Sequence, residues 1–331
     1  MAEGATDEGS PRYLEAINAA LAGAMEEDDS VLVIGVDVGR GGGAYGVTRG
    51  LFDRFGADRV IDTPIAEAGV LGAAVGAAMA GRRPVAEVMY MDFIAVCLDP
   101  IVNQAAKLRY MTGGGVTVPI VFRTQTGGGR SGGAQHSQSL EGMLAHVPGL
   151  DVYCPSDARD AHDLLAAAIR ADHPVCFVEN RRLYGKRAAD WGRAALPPGR
   201  ARTVRTGDDL TIVAWGRMVG ESLAALDLLG DVDADLIDLR TLVPMDVDAV
   251  AASVARTGRC LVVHEAVERF GPGGELIAEI ASRALFDLDG PLRRCGALPA
   301  PVPYSPGLEA AVLPTAERIA GAIRETLEVG G

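Results

Sequence analysis

Asp62-Thr63-Pro64-Ile65-Ala66-Glu67-Ala68-Gly69 is the stretch on which the reading of the fold turns. The β-branched pair Val60-Ile61 leads into it, and a small-residue apolar segment, 70–81, leaves it. This is the pattern of a strand, a polar turn and a helix in succession. One acid, Glu67, stands at the mouth of the helix. An acid there gains from the helix dipole, so its plainest reading is an N-terminal cap residue. The sharper reading is a carboxyl partly buried in a cleft, with a raised pKa and a catalytic task.

The same alternation extends to both sides. Leu14, Ile17, Leu21 and Met25 fall at helical spacing over 12–25. Residues 31–35 form a short continuous apolar run, the mark of a strand buried on both faces. Further strands are predicted over 59–61, 83–89, 116–122, 151–154 and 175–179, and helices over 47–55, 93–111 and 157–170. After Tyr184 the pattern lapses into an Arg- and Ala-rich stretch containing Pro197-Pro198-Gly199. It resumes with strands over 210–215, 234–239 and 260–264 and helices over 219–229, 246–256, 274–285 and 309–328. The expected fold class is α/β, with two doubly wound domains, each built on a mostly parallel sheet covered on both faces. The expected boundaries are a polar tail over 1–11, a first domain over 12–185, a linker over 186–205 and a second domain over 206–331.

A chain of 331 residues, 48% of them apolar, suffices for two such cores. Its net charge of −13 argues against a nucleic-acid-binding surface. From Thr206 onward there are 20 Asp and Glu against 10 Arg and no Lys, so the second domain carries most of the excess. That acidity aids solubility or offers a docking face to a basic partner. Cys97, Cys154, Cys176, Cys260 and Cys295 are widely spaced, with no C-x-x-C pair. They read as buried thiols of a reducing compartment, hence a cytoplasmic protein, and not as zinc ligands. No signal-like leader is visible, and the apolar run 68–81 is too short to span a bilayer.

Two glycine-rich loops compete with Glu67 as centres of chemistry. Gly39-Arg40-Gly41-Gly42-Gly43-Ala44 follows a strand and matches G-x-G-x-x-A, with Asp62 roughly where a ribose-binding acid belongs. The fit is poor, because Tyr45, Gly46 and Val47 prolong the loop where a helix N-terminus should meet a pyrophosphate. The second loop, 126–133, reads as a phosphate cradle or, more plainly, as a mobile loop at the mouth of a cleft. It lacks the Lys-Ser/Thr of a P-loop. His136 follows it, between Gln135 and Ser137, and is a catalytic candidate by that placement.

Longer motifs carry a family resemblance. Asp62-Thr63-Pro64-Ile65-Ala66-Glu67, Asn103-Gln104-Ala105-Ala106-Lys107-Leu108-Arg109-Tyr110-Met111 and Ala134-Gln135-His136-Ser137-Gln138-Ser139-Leu140-Glu141 stand in order and at spacing. With Ile237-Asp238-Leu239-Arg240-Thr241-Leu242-Val243-Pro244, Glu265-Ala266 and Pro301-Val302-Pro303-Tyr304, they extend the likeness over 12–328. The chain resembles the β subunit of the thiamine-diphosphate-dependent E1 component of 2-oxo acid dehydrogenase complexes, in the wording of the acetoin and pyruvate type. The resemblance implies a pyrimidine-binding first domain and a transketolase C-terminal-like second domain. It further implies an α2β2 heterotetramer, active only with its α subunit, which shares thiamine diphosphate and holds Mg²⁺. The implied reaction is decarboxylation of a 2-oxo acid, or cleavage of acetoin, with transfer of the acyl unit to a lipoyl-bearing E2 docked on the acidic second domain.

Residue by residue, Glu67 matches the glutamate that hydrogen-bonds the pyrimidine N1′, a task for a carboxyl that stays protonated near neutral pH. Phe93 matches the aromatic packed on that ring, with Met89 and Ile65 as pocket wall, and His136 matches a histidine beside the substrate and lipoyl entrance. The resemblance also implies a structural K⁺ held by the backbone carbonyls of Ile120, Ala168, Ile169, Ala171 and His173. There are departures: Val36 replaces an acid thought to link the two active sites, Pro100 replaces a Gln, and Ala171 and His173 replace Asp and Asn. They point to a specialised paralogue. Two other readings stand beside this one, a transketolase-like two-carbon transfer to a carrier protein or aldehyde, and a non-catalytic scaffold subunit. An acid such as Glu67 in an apolar cleft argues against the scaffold.

Overall fold

The structure, a computed structural model, describes residues 9–328, so most of the tail expected over 1–11 lies outside the described residues. The chain divides into two compact units. The first runs to Thr126 and includes Met143–Pro198; the second comprises Gly127–Gly142 and the chain from Gly199 onward.

In the first unit, strands β1 (Val31–Val36), β2 (Val60–Thr63), β3 (Arg83–Val88), β4 (Val121–Thr126), β5 (Asp151–Tyr153) and β6 (Val175–Asn180) lie in the order β5-β6-β4-β3-β1-β2. Every neighbouring pair among them is parallel. Parallel strands need covering on both faces, which is why β1 and β6 are near-continuous apolar runs. Helix α1 (Tyr13–Glu27) packs on α6 (Ala158–Arg170), and their buried faces meet Val33, Val85 and Phe177 in one core. Between them in sequence come α2 (Leu51–Phe55), α3 (Glu67–Met79), α4 (Ala106–Met111) and the short α5 (Glu141–Ala145).

In the second unit, β7 (Arg202–Arg205), β8 (Leu210–Ala214), β9 (Ala234–Asp238), the short β10 (Thr241–Val243), β11 (Cys260–Val267) and β12 (Leu292–Ala297) alternate with helices. These helices are α7 (Arg217–Leu229), α8 (Val247–Thr257), α9 (Gly273–Ala284), α10 (Pro306–Val312) and α11 (Ala316–Glu328). The sheet order is β12-β11-β8-β9-β7, parallel except for β7, which runs antiparallel to β9. Both units are therefore α/β with doubly wound sheets, as the alternation predicts.

Some boundaries move, each for a physical reason. The single helix predicted over 93–111 becomes a 3-10 segment (Met91–Cys97), a π-wound segment (Asp99–Ala105) and α4. Pro100 lacks the N–H that a regular α-helix needs there. The helix predicted over 309–328 is two, α10 and α11, parted at Leu313-Pro314 for the same reason. The stretch predicted as a linker over 186–205 is divided: residues to Pro198 stay with the first unit, and Arg202–Arg205 already form β7. The second glycine loop, expected within the first domain, belongs to the second unit. All five cysteines are buried thiols. No helix among the described residues is long and apolar enough to cross a membrane.

Candidate active site

Parallel strands place all their carboxyl ends along one edge of a sheet, where loops gather. In the first unit, the end of β1 feeds the first glycine loop. That loop is closed on itself: Asp62 Oδ1 accepts from the Gly39 N–H at 2.8 Å, and Gly43 N–H donates to the Asp37 carbonyl at 2.8 Å. A Cβ on Gly39 would lie 2.2 Å from Asp62 Oδ2, so any larger residue would push that carboxylate off the loop. The dinucleotide reading fails here, because the acid meant for a ribose caps the loop and no helix starts until Leu51.

Glu67 is the first residue of α3, half-buried, and follows an Ala66 N-cap that makes no side-chain bond. It is thus not the cap itself but the first residue inside the helix. Helix α3 packs against the 91–97 segment. Burial, with the charge of Glu67 nearby, pushes the Cys97 thiol up to about 12. Met89 and Phe93 lie half-buried just beyond β3, and Ile65 is 77% exposed in the turn before Glu67. Ile65 and Glu67 thus follow the carboxyl end of β2, and Met89 and Phe93 that of β3, along one edge of the first sheet.

Tyr90 orients this group, and the sequence reading passes over it. Its backbone takes φ +66°, a conformation that costs a bulky residue about 1–3 kcal/mol and persists only when neighbours impose it. Those neighbours are visible. Gln125 Oε1 accepts from the Tyr90 N–H at 3.2 Å, Tyr45 and Tyr90 share a hydroxyl hydrogen bond, and the Arg181 guanidinium lies 4.5 Å above the Tyr90 ring. Arg181 also donates to Tyr45 Oη at 2.8 Å, and Phe93 meets Tyr90 edge-on at 6.2 Å. Behind them Arg123, fully buried, donates to Glu87 at 2.8 Å and to both oxygens of Glu179 at 2.6 and 3.0 Å. Tyr184 Oη adds a 2.6 Å bond to Glu179, and Gln125 Nε2 reaches Glu87 at 3.4 Å. The available signal is a charge in the interior of each of three strands that are buried along their length, at Glu87, Arg123 and Glu179.

Four of the five carbonyls considered for K⁺ accept hydrogen bonds from the chain itself. Arg83 Nη1 donates to the carbonyls of Ile169 and Ala171 at 3.1 and 2.9 Å. The Ile120 and Ala168 carbonyls accept from Val175 N–H and Ala171 N–H, and the His173 ring pairs with Asp151 at 2.9 Å. A cation there would share the Ile169 and Ala171 carbonyls with a guanidinium, so the set as it stands does not fit K⁺.

In the second unit the other glycine loop is not an empty phosphate cradle: the chain's own carboxylates bond its amides. Glu265 Oε1 accepts from Gly128 N–H at 2.8 Å. Glu309 Oε1 accepts from the N–H groups of Gly129 and Arg130 at 2.7 and 3.3 Å, and its Oε2 from Ser131 N–H at 2.9 Å. Two of the chain's own carboxylates thus fill the backbone nest that an outside anion would use. His136 follows the loop, half-buried. Beside it lies a cavity of about 540 Å³ lined by Ser137, Gln138, Leu140, Glu265, Pro301 and Leu313. Glu141 is buried, accepts from the Trp215 indole N–H at 3.2 Å, and is pushed by burial up to about 7. Among the described residues no group of three or more His, Cys, Asp or Glu side chains is placed to hold a metal ion.

Residues 10–187 match the transketolase pyrimidine binding domain, and residues 199–319 match the transketolase C-terminal domain. Over 95% of its length the chain is 43% identical to the acetoin:2,6-dichlorophenolindophenol oxidoreductase subunit beta of Cupriavidus necator, of which it covers 97%. The chain belongs to the E1 β-subunit family of 2-oxo acid and acetoin dehydrogenases. Other members include the 2-oxoisovalerate dehydrogenase subunit beta of Bacillus subtilis, 40% identical, with 96% of this chain and 98% of the relative covered. The mitochondrial pyruvate dehydrogenase E1 component subunit beta of Caenorhabditis elegans is 42% identical, with 95% and 92% covered. A split-gene transketolase, solved as an inactive beta4 tetramer, superposes with a TM-score of 0.80 over 98% of this chain and 100% of its own. At 22% identity that likeness speaks for the fold alone. Within this E1 β chain, Val36 closes β1 opposite Thr63 and brings no acid to the edge that holds Glu67.

Proposed function

We propose that this chain is the β half of an α2β2, thiamine-diphosphate-dependent E1 that decarboxylates a 2-oxo acid, or cleaves acetoin, and passes the acyl unit to a lipoyl-bearing E2. The observation that supports this is Glu67 at the head of α3, beyond β2, with Met89 just beyond β3 and Phe93 in the 91–97 segment against which α3 packs. That set suits a pyrimidine ring: a carboxyl for N1′, an aromatic for the ring face, and Met89 and Ile65 as apolar wall. When bound, thiamine diphosphate supplies a nucleophilic carbon and an electron sink for the loss of CO₂. Glu67 would offer its carboxyl to N1′ as the hydrogen-bonding partner through which a proton is shared. Phe93 and Met89 would keep water from that proton. His136 would donate from its imidazole to negative charge developing on the substrate side. Mg²⁺ and the diphosphate fall to the α subunit, and the acidic second unit is the face offered to E2. Buried thiols agree with a reducing compartment.

Helix α3 itself supports a partner subunit. It is apolar all round, which is the character of a helix buried on every side. Yet in this chain it buries only Val70, Leu71, Ala74, Val75 and Ala78. Gly69, Gly72, Ala73 and Gly76 form an exposed, smooth face, and Met79 on α3 and Val96 in the 91–97 segment packed against it are exposed apolar side chains. Such a face lets a second helix approach closely.

The test is reconstitution. The purified chain alone should bind thiamine diphosphate poorly and turn over no 2-oxo acid; with its α subunit and Mg²⁺ it should do both. Tight Mg²⁺-dependent binding by the isolated chain would overturn the shared-site reading. Gly76→Arg is the companion variant. A Cβ at Gly76 meets nothing within 4 Å, and replacing a helical glycine gains up to about 1 kcal/mol, so the isolated chain should melt no lower. Assembly with the α subunit should weaken by at least about 100-fold, since an arginine would have to be buried in an apolar contact. Unchanged sedimentation of the tetramer would remove α3 from the interface.

A further inference from the structure

Loop 127–133 holds five glycines in seven residues, so its sequence has little intrinsic reason to adopt one conformation. Its order comes from outside it. Gly129 and Ser131 take φ of +84° and +55°, which turns the amides of 129, 130 and 131 to one side. The carboxylate of Glu309, on α10 and almost fully buried, sits on that side and accepts from all three. Charge-assisted bonds of this kind are roughly twice as strong as neutral ones. The rest of the segment around α10 reinforces the hold. A Cβ on Gly128 would lie 2.7 Å from Leu313, and one on Gly133 would lie 2.3 Å from the Tyr304 ring, so both glycines are pressed against it. His136 is anchored to the same loop through its N–H, 3.3 Å from the Gly133 carbonyl.

We propose that Glu309 is the positioning residue for His136: by occupying the amide nest of 129–131 it fixes the backbone that presents the imidazole. The inference rests on the role proposed for His136 above, but its first test does not. Arg130 is exposed in the middle of the loop and is a trypsin site. In the full chain, Glu309→Ala should raise the rate of cleavage after Arg130 by at least about tenfold, as expected when bonds to a charged group are lost. Added formate, a carboxylate small enough for the emptied nest, should slow that cleavage again. It should not do so in Glu309→Gln, where the amide still fills the space; that near-isosteric variant also serves if the alanine variant does not fold. In the enzyme reconstituted with its α subunit, Glu309→Ala should lower kcat for acyl transfer by about tenfold or more. The KM for the 2-oxo acid should stay within about threefold. Adding His136→Ala should lower kcat little further, since both changes remove one function. Cleavage after Arg130 that is unchanged in both Glu309 variants would overturn the proposal. So would faster cleavage with kcat unaltered, or losses from the two substitutions that multiply. If the wild-type tetramer shows no thiamine-dependent turnover, the functional reading fails and His136 loses its role, while the cleavage rates still decide whether Glu309 holds the loop.

Discussion

Glu67→Gln is expected to lower the rate of thiazolium C2–H exchange in the reconstituted tetramer by about 10²- to 10⁴-fold, the usual worth of a positioned acid or base. Assembly should be intact. The reason lies in what the substitution keeps. Glutamine retains the size and hydrogen-bonding reach of the side chain at the head of α3, where Glu67 is half-buried, but its amide has no acidic proton to share with N1′. Folding should suffer little, because no capping bond depends on this side chain: the N-cap is Ala66. Deuterium exchange at C2, followed by NMR of cofactor released from the quenched enzyme, measures the effect directly. Exchange within a few-fold of wild type would remove Glu67 from the proton pathway.

Arg123→Ala should be the most damaging single change to stability, at about 3–5 kcal/mol, the cost of removing one partner from a buried ion pair. For a unit of this size that lowers Tm by roughly 6–20 °C. Arg123 is fully buried, with Glu87 on one side and Glu179 on the other, and both carboxylates are buried too. Burial alone would pull the guanidinium pKa down, but Glu179 and Glu87 outweigh it and hold it above its usual value. Without Arg123 the two carboxylates would face each other's charge in the sheet interior, and the cheapest escape is to take up protons. The loss should therefore be smaller at pH 5 than at pH 8. Thermal unfolding at the two pH values reads both effects, and a loss below about 1 kcal/mol at pH 8 would show that the network adds little. Because Gln125 bonds both Glu87 and the Tyr90 N–H, the variant should also loosen the turn that carries Phe93.

The comparison between sequence and structure is clearest element by element. The run 31–35 predicts a strand buried on both faces, and β1 is one. The spacing of Ile17, Leu21 and Met25 predicts the buried face of α1, and those residues line the first core. Asp62 to Gly69 predicts strand, turn and helix, and puts Glu67 at the start of α3. Pro100 and Pro314 each interrupt a helix that periodicity alone would carry through. Tyr90 had no local signal, because its backbone strain is imposed by Gln125, Tyr45 and Arg181, which converge from distant parts of the chain.

By itself, then, the sequence determined what is local or periodic. It settled the α/β alternation, the apolar strands, the head of α3 with its acid, and the motifs that place the chain among E1 β subunits. Those features are written in neighbouring residues, so strand and helix periods reveal them. The tertiary structure alone decided where the second glycine loop belongs and what fills it. Glycines carry no side chains to show a preference, and the carboxylates that order the loop come from 137 and 180 residues further along the chain. It likewise decided that Asp62 closes the first loop and that Arg83 occupies two of the carbonyls considered for K⁺. In each case a charge finds its partner across a long stretch of chain, and only the folded chain brings the two together.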